Sequence, residues 1–321
     1  METRVLATPR SFAATSPKPI HMLEEAGCQV LRLERPADET ITTEVMIRAI
    51  EGVQAIIIGI EPLNLAVLEH APDLRIISKY GVGMDNIDIE AARSRGIALG
   101  WTPGANSNAV AEMTLGLMFA LARRIPQTDR AMHDGRFERV RGIELQDRVL
   151  GVIGLGRIGR RVVKAASCLG MRVIAYDPYL MESPLAEIAL VDQDQLLQEA
   201  DVISLHLPLT EQTQHMIDAQ ALRAMKPDAL LINTARGGIV DEEALYNALQ
   251  AGELGGAAID CFSHEPAYDS PLLKLKQVIG TPHTASHTQE ASDAMGLMAV
   301  ENVIAVLQGK PMPYPYEEPS D

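Results

Sequence analysis

The sequence predicts an α/β protein made of doubly wound parallel sheets, and three observations carry that prediction. Short runs rich in Val, Ile and Leu alternate with longer helical patterns almost from end to end, the order expected of parallel strands joined by crossover helices. A Gly-rich turn stands between one such run and the helical pattern that follows it. At 321 residues, the chain has room for roughly two domains of about 150 residues each. With 47% hydrophobic and 22% charged residues, the composition is globular, which excludes wholesale disorder and low-complexity scaffolds.

Strands are expected over residues 4–8, 28–33, 54–60, 74–78 and 97–101, with helical stretches such as 44–50 and 89–95 between them. They form a first compact unit. Residues 106–123 then read as a helix that is apolar on nearly every face, through Val110, Met113, Leu117, Met118 and Leu121. Such a helix needs burial on all sides and suits a join between two domains or two subunits. A second series covers 149–153, 172–176, 202–206, 229–233, 257–260 and 278–280, and six strands match a dinucleotide-binding sheet. A last helix is expected over 292–307, crossing back to the first unit. Pro311, Pro313, Pro315 and Pro319 make the tail too proline-rich for helix.

The charge sum of 28 Lys and Arg against 43 Asp and Glu is −15, which repels phosphate backbones and anionic lipid. Nucleic acid and membrane are therefore not expected as partners. The N-terminus lacks the apolar core of a signal peptide, and the most apolar segment, 113–122, is too short to span a bilayer. Cys28, Cys168 and Cys261 have no metal-ligand spacing and read as free, packed thiols in a reducing cytoplasm. None of the eight histidines shows ligand spacing, so no catalytic metal is expected.

The chemistry concentrates in the second series. After the strand over 149–153 comes Gly154-Leu155-Gly156-Arg157-Ile158-Gly159, a turn that lets backbone approach a pyrophosphate at a helix N-terminus. The next strand ends in Asp177, placed to accept from both ribose hydroxyls of NAD and to repel the 2′-phosphate of NADP. Arg236, in Thr234-Ala235-Arg236-Gly237-Gly238, offers a planar fork for a substrate carboxylate. Glu265 and His283 follow the next two strands and are expected to form an acid–base pair, the carboxylate favouring imidazolium so that His283 can protonate a carbonyl. In the reverse direction neutral His283 takes the hydroxyl proton. His206 reads as a wall of the cofactor cleft.

The ordered set of the Gly-rich turn with Asp177, Ser204 to Pro208, Arg236-Gly237-Gly238, Asp260 to Pro266 and Pro282-His283 resembles the D-isomer-specific 2-hydroxyacid dehydrogenase family, most closely its phosphoglycerate dehydrogenase-like members. Lys79 to Asp88 and Thr102 to Asn106 match further landmarks, so the resemblance covers nearly the whole chain. It implies two Rossmann-like domains: a discontinuous substrate or lid domain, 1–100 plus 288–321, and an NAD-binding domain, 101–287. By the same resemblance Arg236 binds the substrate carboxylate and carbonyl, His283 is the proton donor or acceptor, and Glu265 pairs with it. Arg157 and Ile158 would cover the pyrophosphate, and Asp260 would hold the nicotinamide carboxamide. Thr234, Ala235, His206 and Pro208 would line the cofactor, with His283 to Ser286 closing the pocket. Lys79, Tyr80, Gly81, Val82 and Gly83 would face the substrate, and the 106–123 helix would be a homodimer arm.

The resemblance implies a small 2-hydroxy or 2-keto acid as substrate, with 3-phosphoglycerate ranked level with glyoxylate and hydroxypyruvate. Glu61, in Gly59-Ile60-Glu61-Pro62, stands where better-known phosphoglycerate dehydrogenases carry Arg, and is expected to repel a phosphate. Lys79 is the compensating charge. A regulatory C-terminal domain, and serine feedback through one, are not expected. An NAD(H)-sensing module of the corepressor type is the alternative; it calls for a peptide groove or regulatory tail, and neither is legible. A formate dehydrogenase would have Gln where Glu265 stands.

Overall fold

The computed structural model describes residues 3–33 and 41–317, so Pro319 of the expected tail lies outside the described residues. The chain divides into two compact units, Met1–Asn106 with Ser286–Asp321, and Ser107–Ala285.

In the first unit, strands β1 (Thr3–Ala7), β2 (Cys28–Arg32), β3 (Ala55–Ile58), β4 (Ile76–Lys79) and β5 (Ala98–Gly100) pair in parallel in the order β2-β1-β3-β4-β5. That is a doubly wound order. Helices α1 (Lys18–Glu25), α2 (Thr43–Ile50), α3 (Leu65–Leu68) and α4 (Ile89–Ser94) connect them. β3 reads Ala-Ile-Ile-Ile and is buried throughout, as expected of a strand covered on both faces.

The second unit opens with α5 (Ser107–Ala122) and α6 (Ile125–His133). Its strands are β6 (Val149–Ile153), β7 (Arg172–Tyr176), β8 (Ala189–Leu190), β9 (Val202–Leu205), β10 (Leu230–Asn233), β11 (Gly256–Ile259) and β12 (Val278–Gly280), in the order β12-β11-β10-β9-β6-β7-β8. Helices α7 (Arg157–Cys168), α8 (Gln193–Glu199), α9 (Ala219–Ala224) and α10 (Glu242–Ala251) lie between strands, and α11 (Gln289–Leu307) returns to the first unit. The strand order reverses between β6 and β9, so a crevice opens outside their carboxyl ends, the usual ligand position in such sheets.

Alternation along the strands sorts the second core onto two faces. Val149 and Ile153 of β6 join Ile203, Leu205, Leu231 and Ile259 on one face; Leu150 and Val152 join Val202, Leu230, Ile232 and Ala258 on the other. Helix starts are fixed by side chains: Asp88, Asp192, Asp218 and Asp241 each accept a first-turn backbone N–H, a cap worth about 1 kcal/mol apiece.

Three expectations need correction. The second sheet has seven strands, because β8 is only Ala189–Leu190, too short to leave a period in the sequence. The 106–123 helix is not buried on all sides within the chain: Ala111, Leu117, Met118 and Leu121 pack inward, while Asn108, Glu112, Gly116 and Phe119 form one exposed stripe. Cys28 and Cys261 are buried free thiols, but Cys168, at the end of α7, is exposed.

The unit breaks fall after Asn106 and Ala285, for reasons visible in the hydrogen bonds. The Thr102 hydroxyl donates to the Gly81 carbonyl at 3.0 Å, and the Gly81 N–H donates back to it at 2.9 Å, tying residues beyond β5 to the first unit. Thr284 and Ala285 donate their backbone N–H groups to Asp260, at 2.9 Å each, and so stay with the second. Among the described residues, no helix is long and apolar enough to cross a membrane.

Candidate active site

The Gly-rich turn leaves the end of β6 in a conformation only glycine adopts without strain: Gly154 has φ +97°, and a Cβ there would stand 2.6 Å from the His206 carbonyl oxygen. At Gly159 a Cβ would fall 2.0 Å from the Gly154 carbonyl, so the helix packs directly on the turn. Gly156, the N-cap of α7, has open space where its side chain would be. Arg157 beside it is exposed and Ile158 half-buried. An anion approaching Gly156 meets backbone N–H groups and the positive end of the helix.

Asp177, just past β7, accepts from the Leu155 N–H at 2.8 Å and the Tyr179 N–H at 3.0 Å. Its carboxylate is thus fixed beside the turn, with lone pairs left for hydroxyl donors. His206 follows β9 across the crevice. Its Nε2 pairs with the Ser204 hydroxyl at 2.9 Å, whereas Nδ1 is buried without a partner. Burial pushes its pKa down to about 3, which keeps the ring neutral. Pro208 is exposed, with its carbonyl accepting from the Thr213 hydroxyl at 2.7 Å. An open turn, an anchored carboxylate and an orphaned buried nitrogen are the features a dinucleotide would complete, so the residues fit NAD.

Arg236, Glu265 and His283 follow β10, β11 and β12, and the folded chain brings them together. His283 Nδ1 lies 3.0 Å from Glu265 Oε2 and 3.2 Å from Oε1. Burial raises the Glu265 pKa, but the hydrogen bond and charge of His283, the Phe262 N–H at 3.0 Å and the nearby Arg236 outweigh it and hold the carboxyl below its ordinary value. The His283 pKa is pushed up to about 10, by hydrogen bonding to Cys261 and then to Glu265. Arg236 is placed by its glycine neighbour: a Cβ on Gly237 would sit 2.0 Å from the Phe262 carbonyl oxygen, so the loop after β10 lies flat on the loop after β11. Thr234 and Ala235, at the end of β10, are buried, and the Thr234 hydroxyl meets that of Thr114 on α5 at 2.9 Å.

Two side chains have roles that sequence reasoning missed. Asp260 is fully buried and both its oxygens are engaged: one takes the Thr281 hydroxyl at 2.6 Å and the Thr284 N–H at 2.9 Å, the other the Ala285 N–H at 2.9 Å. Together with the His283 N–H, which donates to the Asp260 carbonyl at 2.8 Å, these bonds shape the loop that carries His283. Cys261 stands beside the acid–base pair, its thiol 3.5 Å from the Ala235 carbonyl oxygen. No motif marks either role, because each depends on residues from other loops.

The first unit holds the residues expected to face the substrate. Lys79 is buried, its ammonium donating to the Gly59 carbonyl and to Asn86 Oδ1, both at 2.5 Å. Tyr80 donates its hydroxyl to the Ser292 carbonyl at 2.9 Å, Gly81 has φ +143°, and Val82 and Gly83 are only part-exposed. Ser286 belongs to this unit too. Glu61, expected to repel a phosphate, is buried in this unit, its side chain accepting from the Thr8 hydroxyl at 2.6 Å and the Gly59 N–H at 3.0 Å.

Fold and site together define a doubly wound dinucleotide-binding protein with an Arg, Glu and His constellation on the carboxyl edge of its sheet. Residues 115–285 match the family model for D-isomer specific 2-hydroxyacid dehydrogenase, NAD binding domain. The chain is 43% identical over 298 residues to D-3-phosphoglycerate dehydrogenase of Methanocaldococcus jannaschii, covering 91% of this chain and 56% of that protein. It is 39% identical over 309 residues to glyoxylate reductase of Thermofilum pendens, covering 92% and 91% of the two chains. A crystal structure of a Thermus thermophilus protein matches with TM-score 0.89 at 37% identity, over 98% of this chain and 100% of that one. The chain therefore belongs to the D-isomer specific 2-hydroxyacid dehydrogenases. It spans little more than half the length of the Methanocaldococcus relative, at 56%.

Proposed function

We propose that the protein is an NAD-dependent D-2-hydroxyacid dehydrogenase acting on a small 2-keto acid and its D-2-hydroxy counterpart. The observation that carries this reading is the 3.0 Å contact of His283 Nδ1 with Glu265 beside Arg236, on the edge of a sheet whose Gly-rich turn fits a dinucleotide. Bound NADH supplies the hydride. The Arg236 fork grips the substrate carboxylate and steers the carbonyl oxygen towards His283. With Nδ1–H committed to Glu265, the other ring nitrogen is left to face that oxygen and donate a proton as charge develops on it. Its raised pKa keeps His283 protonated through neutral pH, as reduction requires. In oxidation, neutral His283 takes the hydroxyl proton and Glu265 holds the resulting imidazolium.

Gly154, Gly156, Arg157, Ile158 and Gly159 are assigned to the pyrophosphate, and Asp177 to the ribose, favouring NAD over NADP. His206, Pro208, Thr234, Ala235, Asp260 and Ser286 are assigned to the remainder of the cofactor. Lys79 to Gly83 are assigned to the substrate through their backbone, since the Lys79 ammonium already serves Gly59 and Asn86. The first unit, Met1–Asn106 with Ser286–Asp321, is assigned as the substrate domain, a few residues beyond the expected 1–100 with 288–321, and Ser107–Ala285 as the NAD domain. The exposed α5 stripe supports a homodimer, and the sparse free cysteines support a cytoplasmic location. Buried Glu61 leaves 3-phosphohydroxypyruvate beside hydroxypyruvate and glyoxylate as substrates, as the mixed names of the relatives do.

The test is NADH oxidation with these three acids, repeated with NADPH. Turnover of at least one acid, faster with NADH, is the expected result. Tight NADH binding without turnover of any would reject the dehydrogenase in favour of an NAD(H) sensor.

A further inference from the structure

Cys261 directly follows β11, Glu265 lies four residues on in the same loop, and His283 comes from the loop after β12. The Cys261 sulfur, a Glu265 carboxylate oxygen and a ring nitrogen of His283 all lie within 4.8 Å of one another. Bonds of about 2.0–2.3 Å to a tetrahedral cation set ligand atoms roughly 3.3–3.8 Å apart, so the triangle needs only side-chain adjustment to close on an ion. The His283 and Glu265 side chains are 31% and 29% exposed, whereas Cys261 is 2% exposed. An ion therefore enters on the imidazole and carboxylate side and meets sulfur at the floor.

The donor set selects the ion. Thiolate and imidazole favour zinc-like cations, while magnesium and calcium require oxygen. One thiolate and one carboxylate balance a divalent charge with imidazole neutral, and three protein ligands leave one position for water. All three residues belong to the second unit, so the site needs nothing from the first.

We propose that Cys261, Glu265 and His283 form an inhibitory binding site for a thiophilic divalent cation of the zinc type. The bound ion occupies the groups of the acid–base pair, so proton transfer to the carbonyl stops. The turn at Gly154 to Gly159 and Asp177 take no part, so the cofactor stays bound. Only the turnover readout rests on the dehydrogenase reading; ion binding is measured without it.

The experiment titrates zinc into the full chain, with and without NADH, by competition with a chromophoric chelator. Cadmium is then titrated in parallel to read the ultraviolet sulfur-to-cadmium charge-transfer band. Expected are one zinc per chain, loss of 2-keto acid reduction that a chelator restores, and NADH affinity unchanged by zinc. Cys261→Ala should weaken zinc binding at least about tenfold and abolish the cadmium band. His283→Asn, which keeps the thiol, should weaken zinc binding comparably, so the site remains testable if the cysteine variant folds poorly. Zinc binding of wild-type strength in a folded Cys261→Ala protein, or inhibition that works by displacing NADH, would overturn the proposal. A wild-type chain that turns over no 2-keto acid but binds zinc through these residues would reject the dehydrogenase and keep the site.

Discussion

The chain contains two doubly wound parallel sheets, and their carboxyl edges have been used in opposite ways. In the first unit the loop after β1 is filled by its own side chains: Arg32 ties the carbonyls of Pro9, Arg10 and Phe12, and Phe12 packs edge-on against Tyr80 at 6.2 Å. The loops after β3 and β4 are knit together by Glu61, Lys79 and Asn86. In the second unit the loop after β6 is stripped to glycine, leaving backbone open at Gly156, while the ends of β10, β11 and β12 gather a guanidinium, a carboxylate and an imidazole. One doubly wound architecture therefore leaves its strand ends open in the second unit, where the reaction is proposed, and fills them with side chains in the first.

The largest break in that comparison is expected at His283. His283→Gln should lower kcat for carbonyl reduction about 10²-fold or more while NADH affinity holds, in line with loss of general acid catalysis; stopped-flow reduction and fluorescence titration of NADH read the two separately. A smaller but still large effect separates two glycines of one turn. Gly159→Ala must push a methyl against the Gly154 carbonyl, only 2.0 Å away, and should cost about 1–3 kcal/mol of stability or more, as core overpacking does. Gly156→Val meets open space in the chain, so its melting temperature should stay close to wild type while NADH binding weakens. Unchanged NADH binding in a folded Gly156→Val protein would remove Gly156 from the cofactor site.

In the first unit, Lys79→Met should act on stability. It leaves the part-buried Asn86 Oδ1 without the ammonium at 2.5 Å, a loss of about 1 kcal/mol or more, measured by urea denaturation. A selective rise in KM for phosphorylated acids, with stability intact, would instead make Lys79 a direct anion contact. The last effect concerns His206 and shows only in acid. Its pKa is depressed in the folded state, from 6.5 to about 3, so between those values the unfolded chain binds the extra proton. Stability linked to His206 is complete above pH 6.5 and is lost as pH falls towards 3, at up to about 1.4 kcal/mol per pH unit. His206→Asn should flatten that part of the acid limb, and an unchanged limb would place the ring in contact with water.

Much of this was legible in the sequence because it is local. Strand ends agree with the expected ones to within about two residues, the spread of fraying ends, and the Gly-rich turn, Asp177, Arg236, Glu265 and His283 announce themselves by type and by position after a strand. The pairing of Glu265 with His283 was anticipated from their places at neighbouring strand ends, across a separation of 18 residues. What stayed hidden depends on partners that no short window contains. Asp260 reads as a cofactor contact, and no window shows that its oxygens also take Thr281, Thr284 and Ala285. Glu61 reads as a charge that repels a phosphate, and its burial with a hydrogen bond from Thr8, 53 residues away, leaves no mark in any window.

By itself, the sequence determined the class of fold, the dinucleotide turn and the residues proposed to react, since periodicity and turn chemistry are set by near neighbours. Only the tertiary structure decided which charges are buried, where the units divide and that the Cys261 thiol lies against the acid–base pair. Those outcomes follow from which distant loops meet at a sheet edge, and that is fixed by strand order.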